Sequence, residues 1–114
     1  MTSERRALGM AGEELATSWY ERRGYDILAR NWRCRQGELD LVVRTGATVV
    51  FCEVKSRSSL RFGSPFEAVT SDKRRRLRAL AAAWLRESGT RAGEIRFDVA
   101  GVLDGEVEVV EAAF

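Results

Sequence analysis

The sequence predicts one α/β domain, a central mixed β-sheet flanked by helices with elements in the order α-β-β-β-α-β-β. Three observations point there. Apolar residues recur at helical spacing in two segments, residues 4–23 and about 71–88. Short runs rich in valine and aromatic residues lie between and after them, folding back around Gly46-Ala47 and Asp104-Gly105. The 114 residues suffice for one core and are too few for two, so a single domain over 1–114 is expected.

The elements follow in order. Leu8, Ala11, Leu15 and Trp19 form the apolar stripe of the first helix, and Gly24 stops it. Residues 25–33 carry Tyr25, Ile27 and Trp32 and read as the first strand. Residues 38–45 and 48–56 make the second and third, with Gly46 at the first position of a two-residue type II′ turn. A polar loop over 57–65 contains Gly63, Ser64 and the only proline, Pro65, and leads into a short turn, Phe66–Val69. Either Thr70 or Ser71 caps the second helix. Its buried face is Leu77, Leu80, Ala81, Trp84 and Leu85, and Gly89 ends it. Residues 94–103 and 106–111 close the chain as a hairpin.

Composition narrows the chemistry. Apolar residues are 45% and charged residues 32%, an ordinary globular balance. No apolar run approaches the ~20 residues that span a bilayer. The start, MTSERRALGMAGEE, has no signal-peptide core, so a cytoplasmic protein without a membrane partner is expected. There is no histidine, which removes the Ser-His-Asp triad, the Cys-His dyad and any histidine base. Two cysteines without a CxxC spacing make neither a disulfide scaffold nor a zinc site. Cys52 reads as core filling, and Cys34, among arginines, as the more exposed thiol. Hydrolytic chemistry would fall to carboxylates, lysine and a metal ion. All 19 basic residues lie in 1–96 against 12 of the 17 acids, a balance of +7, which suits a polyanionic partner and equally a solvated charged face.

The stretch from Gly37 to Arg57 is the most informative. Strand alternation puts Leu39, Leu41 and Val43 on one face and Glu38, Asp40, Val42 and Arg44 on the other. In the next strand Val50, Cys52 and Val54 share a face, opposite Val49, Phe51, Glu53, Lys55 and Arg57. A two-residue turn pairs Thr45 with Thr48, which sets Asp40 opposite Glu53 and Glu38 opposite Lys55. Facing carboxylates some ~5 Å apart repel unless a proton or a cation sits between them. A hard divalent ion with oxygen ligands fits.

Asp40 followed by Glu53-Val54-Lys55 resembles the motif of the PD-(D/E)xK nuclease superfamily, with Leu39 where the superfamily name has proline. A longer set runs in order along the chain: Gly9-x-x-Gly12-Glu13-x-x-Ala16, Gly24-Tyr25, Asn31-Trp32-Arg33, Gly37-Glu38-x-Asp40-Leu41, Phe51-x-Glu53-Val54-Lys55-x-Arg57, Phe62-Gly63, Lys73 and Arg96-Phe97-Asp98. Together these resemble the YraN family of bacterial proteins from about Gly9 to Phe114. That family is similar in fold to archaeal Holliday-junction resolvases and is usually described as a predicted endonuclease.

The resemblance implies a restriction-endonuclease-like fold and a Mg²⁺- or Mn²⁺-dependent nuclease acting on DNA, including branched or damaged forms. It implies Asp40, Glu53 and Glu13 as metal ligands and Lys55 as the residue that orients the attacking water and stabilises phosphate charge. Glu14 is the alternative register for Glu13. Glu38 reads as an outer ligand, a partner of Lys55 or a strand-entry charge. Substrate grip falls to basic residues: Arg33 and Arg35 near the first strand, Arg57 and Arg61 beyond the lysine, and Lys73, Arg74 and Arg75 at the start of the second helix. A nucleic-acid-binding module with little or no cleavage is the alternative. A third reading is an adaptor that forms a homodimer through the apolar tail Val109–Phe114 or an exposed hairpin edge.

Overall fold

A computed structural model describes residues 3–57 and 69–114, with the side chains of the first helix described from residue 11 onward. The loop and turn expected over 57–69 fall almost wholly outside the described residues. Seven elements follow in the expected order: α1 (Ser3–Arg22), β1 (Asp26–Cys34), β2 (Gly37–Thr45), β3 (Thr48–Arg57), α2 (Ser71–Ser88), β4 (Glu94–Leu103) and β5 (Glu106–Val110). The five strands make one sheet in the order β1-β2-β3-β4-β5. The β3–β4 pair is parallel and the other three are antiparallel. The parallel pair needs a crossover, which the chain containing α2 provides. No described helix is long and apolar enough to cross a membrane.

Alternation in β3 sorts the core onto two faces. Val49 and Phe51 join Leu77, Leu80, Ala81 and Trp84 of α2. Val50 and Cys52 join Ala16 and Tyr20 of α1. The helix α2 begins as its composition requires: Thr70 is the cap, its hydroxyl accepting from Lys73 N at 3.3 Å. It ends at Gly89, left-handed at φ 69°, whose N–H donates to Leu85 O at 3.1 Å.

Two expectations about faces need correction. The first is the helix α1. Of its stripe of Leu8, Ala11, Leu15 and Trp19, the Leu8 side chain lies outside the described residues, Ala11 is exposed, Leu15 is half-buried, and Trp19, half-buried, packs at the edge of the α1-side cluster. Gly12, Ala16, Thr17 and Tyr20 are buried instead. The reason is close approach. A Cβ at Gly12 would overlap Ser56 Oγ and lie 3.6 Å from Val102 Cγ2, so only glycine lets α1 settle onto β3 and β4 here.

The second correction is the phase of β2. Leu39 does not share a face with Leu41 and Val43. It packs with Val42 in the α2-side cluster, while Leu41 and Val43 lie on the α1 side. The neighbouring strand slips in step: Ala29 and Trp32, three residues apart, both pack on the α2 side. Between them Asn31 is left-handed at φ 51°, which breaks the two-residue alternation.

The tail Val109–Phe114 is divided: Val110, Glu111 and Ala112 are exposed, and its other apolar residues pack within the chain. Val109 lies against the α1-side cluster, and the Phe114 ring stacks on Phe97 at 5.1 Å between centroids. Cys52 is buried as expected. Cys34 is half-buried against the α2-side cluster, with Sγ 3.0 Å from Gln36 Oε1, so it is less open than its arginine neighbours imply.

Candidate functional site

The sheet forks between β2 and β3. Their ladder runs from Thr45↔Thr48 to Leu41↔Cys52, the register that the two-residue turn dictates, and stops there. Gly46 takes φ 57°, as its turn position demands. Beyond Leu41 the start of β2 stays with β1, through Trp32↔Leu39, Arg33↔Glu38 and Cys34↔Gly37. Beyond Cys52 the end of β3 stays with β4, from Glu53↔Val99 to Arg57↔Leu103. One arm of the fork carries Glu38 and Asp40, and the other carries Glu53 and Lys55.

Asp40 and Glu53 therefore do not form the facing ladder pair expected from the turn. They occupy the first position past the ladder, and the gap is bridged differently: Val54 N–H donates to Asp40 Oδ2 at 2.8 Å. Burial, reinforced by the Glu53 charge, pushes the Asp40 carboxyl up to about 8; Glu13 adds to the push and the Val54 N–H opposes it. Carboxylate oxygens of Glu13, Glu38 and Asp40 all lie within 4.8 Å of one another. Burial also raises the Glu13 carboxyl above its ordinary value, with Asn31 and Arg30 pulling it down and Glu38 pushing it up.

Opposing charge comes from lysines. Lys55 Nζ is 3.5 Å from Glu53 Oε1, and both side chains are mostly covered, 17% and 11% exposed. Lys73, in the first turn of α2, is half-buried, unlike the exposed Arg74, Arg75, Arg76 and Arg78 that follow it. Burial lowers the Lys73 ammonium below its ordinary value and contact with Lys55 lowers it further, while Glu53 and Asp40 raise it. Four elements thus converge on the fork: Glu13 from α1, Glu38 and Asp40 from β2, Glu53 and Lys55 from β3, and Lys73 from α2.

The sequence expectations divide accordingly. Asp40 and Glu13 come together with Glu38, while Glu53, paired with Lys55, stands beside Asp40 but outside that tight carboxylate group. Glu14, the alternative register, is exposed and paired to Arg30 at 2.6 Å. Glu38, ranked last from sequence, stands inside the cluster, with its Oε2 3.3 Å from Arg33 Nε. Lys73 belongs to the site itself. Arg33 and Arg35 are exposed on the β1 side, and Arg57 is half-buried, donating to Ser56 O at 3.1 Å. Arg74 lies over the Phe114 ring, 5.5 Å from its centroid, and Arg75 faces Asp72 at 3.5 Å. Arg61 lies outside the described residues.

A second polar centre went unread in the sequence. Asp98, fully buried, accepts from Tyr20 Oη at 2.6 Å, from Arg96 Nε and Nη2 at 2.9 Å each, and from Ala112 N at 3.0 Å. Arg96 also donates to Tyr25 Oη at 2.9 Å. Burial pushes the Tyr20 phenol far above its ordinary value, so it stays a donor. The signal was an aspartate inside the apolar run Phe97–Val102, with an arginine two residues before it on the same face.

The donor set at the fork is all carboxylate oxygen, without nitrogen or sulfur, and fits a hard divalent cation such as Mg²⁺ or Mn²⁺. Fold and site together define a mixed α/β domain with an acidic, lysine-flanked centre at a forked sheet. The sequence profile of the uncharacterised protein family UPF0102 matches residues 12–102, and the chain belongs to this family, the one its YraN-like motifs indicate. It is similar to UPF0102 proteins of Beutenbergia cavernae, at 57% identity over 85% of this chain and 82% of the relative, and of Acidothermus cellulolyticus, at 50% identity over 98% and 96%. A UPF0102 protein of Rhodococcus jostii is 47% identical over 95% of this chain and 96% of its own.

Proposed function

We propose that this chain is a metal-dependent endonuclease that hydrolyses phosphodiester bonds of DNA, branched or damaged structures included, on a restriction-endonuclease-like scaffold. One observation carries the reading. Asp40 is held in a covered fork by a single backbone donor, among three other carboxylates and beside two lysines. Such a cluster destabilises a fold unless a proton or a cation completes it, and a cation is the relief that also serves chemistry.

Asp40, Glu13 and Glu53 would hold the ion, joined by Glu38. Bound there, Mg²⁺ or Mn²⁺ would supply Lewis-acid polarisation of the phosphate and a lowered pKa for bound water. The chain's own residues do the rest. Lys55, anchored by Glu53, places positive charge beside the phosphate where negative charge develops. Lys73, beside Lys55, would add a second charge from α2. Arg33, Arg35, Arg57, Arg61, Arg74 and Arg75 would grip flanking phosphates, which gives affinity without sequence readout.

The test is cleavage of labelled linear, flapped and four-way-junction DNAs with Mg²⁺, Mn²⁺ or EDTA, using wild type and Lys55→Gln. Metal-dependent cutting that Lys55→Gln reduces about a hundredfold or more is expected. Binding without cutting, unchanged in the variant, would instead favour a nucleic-acid-binding module.

A further inference from the structure

Asn31 is an exposed residue inside a strand, yet its backbone is left-handed at φ 51°. The other described non-glycine residues with positive φ, Asp104 and Ala112, lie in the β4–β5 turn and after β5. A left-handed residue within a strand is uncommon, and asparagine tolerates it best after glycine. The slip also seats Trp32 and Leu39 in the α2-side core, while Asn31 itself stays exposed.

Its position gives the reason. Pairing of β1 and β2 runs Arg30↔Leu41 and then Trp32↔Leu39, so Asn31 stands across from Asp40. Both strands change phase at this rung. Before and after it, Ala29 and Trp32 on β1, and Val42 and Leu39 on β2, face α2. Without the slip, Leu39 would share the face of Leu41, and Asp40 would lie squarely under α2, away from α1. With it, Asp40 reaches Glu13 of α1 and Glu38 as well as Glu53 of β3. The Asn31 side chain favours the charged form of the Glu13 carboxylate. Residues that orient ligands in this way affect metal affinity without touching the ion.

We propose that Asn31 is the positioning residue of the acidic site, its left-handed backbone setting the strand phase that presents Asp40 and its amide holding Glu13 toward Asp40 and Glu38. The inference rests on the metal reading of that cluster. It assigns Asn31 no contact with substrate.

Glycine separates the two parts of the role, because Asn31→Gly keeps the backbone conformation and removes the amide, whereas Asn31→Ala penalises both. Mn²⁺ affinity by titration calorimetry and metal-free melting temperature are measured for wild type and both variants. Asn31→Gly should melt at or above wild type and bind Mn²⁺ about tenfold more weakly. Asn31→Ala should melt lower and bind no better than Asn31→Gly. In a Glu13→Gln background, Asn31→Gly should change Mn²⁺ affinity less than about twofold, since the amide acts through Glu13. Asn31→Gly binding Mn²⁺ as tightly as wild type would overturn the inference alone. So would a full tenfold loss that persists in the Glu13→Gln background. Wild type binding no Mn²⁺ would overturn the metal reading, and the inference with it.

Discussion

Two aspartates turn inward from this sheet, and their surroundings treat them in opposite ways. Asp98 on β4 is sealed, and four donors from Tyr20, Arg96 and Ala112 meet its two oxygens. Among the described residues Asp40 on β2 has one hydrogen-bond donor, a backbone N–H, and its charged neighbours include Glu53 and Glu13. Folding alone explains the first, because a buried charge is tolerable when paired and hydrogen-bonded. Folding alone does not explain the second. The contrast separates a carboxylate that ties α1, β4 and the C-terminal segment together from one that we propose is completed by a bound cation.

The same substitution at the two positions exposes the difference most strongly. Asp98→Asn should lose about 3–5 kcal/mol of stability in denaturant melts, because it breaks a buried ion pair with Arg96. Asp40→Asn should be within about 1 kcal/mol of wild type or more stable, since it relieves carboxylate repulsion, while cleavage falls about 10²–10³-fold. Equal destabilisation by both would erase the distinction.

Proton competition sharpens the comparison next. The Asp40 carboxyl, ordinarily near 3.8, is held at about 8 in the fold. The folded chain therefore binds this proton more tightly than the unfolded chain. Its contribution to metal-free stability is full at low pH and is lost as pH rises from about 4 to about 8. In the proposed metal site a divalent ion would replace the proton, so the rise in melting temperature caused by Mn²⁺ should grow from pH 6 to about 8 and level off above. Melting curves with and without Mn²⁺ across that range check the slope.

Smaller effects probe the scaffold around each aspartate. Tyr20→Phe should cost about 1.5–3 kcal/mol, the value of a hydrogen bond to a charged group, and leave Mn²⁺ affinity unchanged. Gly12→Ala should cost about 1–3 kcal/mol, because its Cβ meets Ser56 Oγ. That hydroxyl is buried without a hydrogen-bond partner among the described residues, so Ser56→Ala in the Gly12→Ala background should restore most of the loss. Failure of that rescue would show that the close approach of α1 is not set at this contact.

Much of this was legible in the sequence because it depends on short-range rules. The turn at Gly46-Ala47 fixed the β2–β3 register, and caps and glycines marked both ends of α2. The carboxylates and lysine of the fork were legible through motif resemblance as well as alternation. Three things were not. The phase slip at Asn31 and Asp40 breaks the alternation on which face assignments rest, so Leu39 was expected on the wrong side. The fork depends on which neighbour each strand follows beyond Leu41 and Cys52, a tertiary choice that turn geometry does not encode. The face of α1 was set by how closely Gly12 and Ala16 can approach the sheet rather than by where its largest apolar residues lie.

The central claim is that Asp40 is kept short of partners so that a divalent cation can complete it. Denaturant melts of wild type and Asp40→Asn, each with and without Mn²⁺ at pH 8, test this most directly. The account predicts that the variant is at least as stable as wild type without metal, and that Mn²⁺ stabilises wild type alone. A variant destabilised like Asp98→Asn, with Mn²⁺ stabilising neither protein, would contradict it and make Asp40 another structural carboxylate.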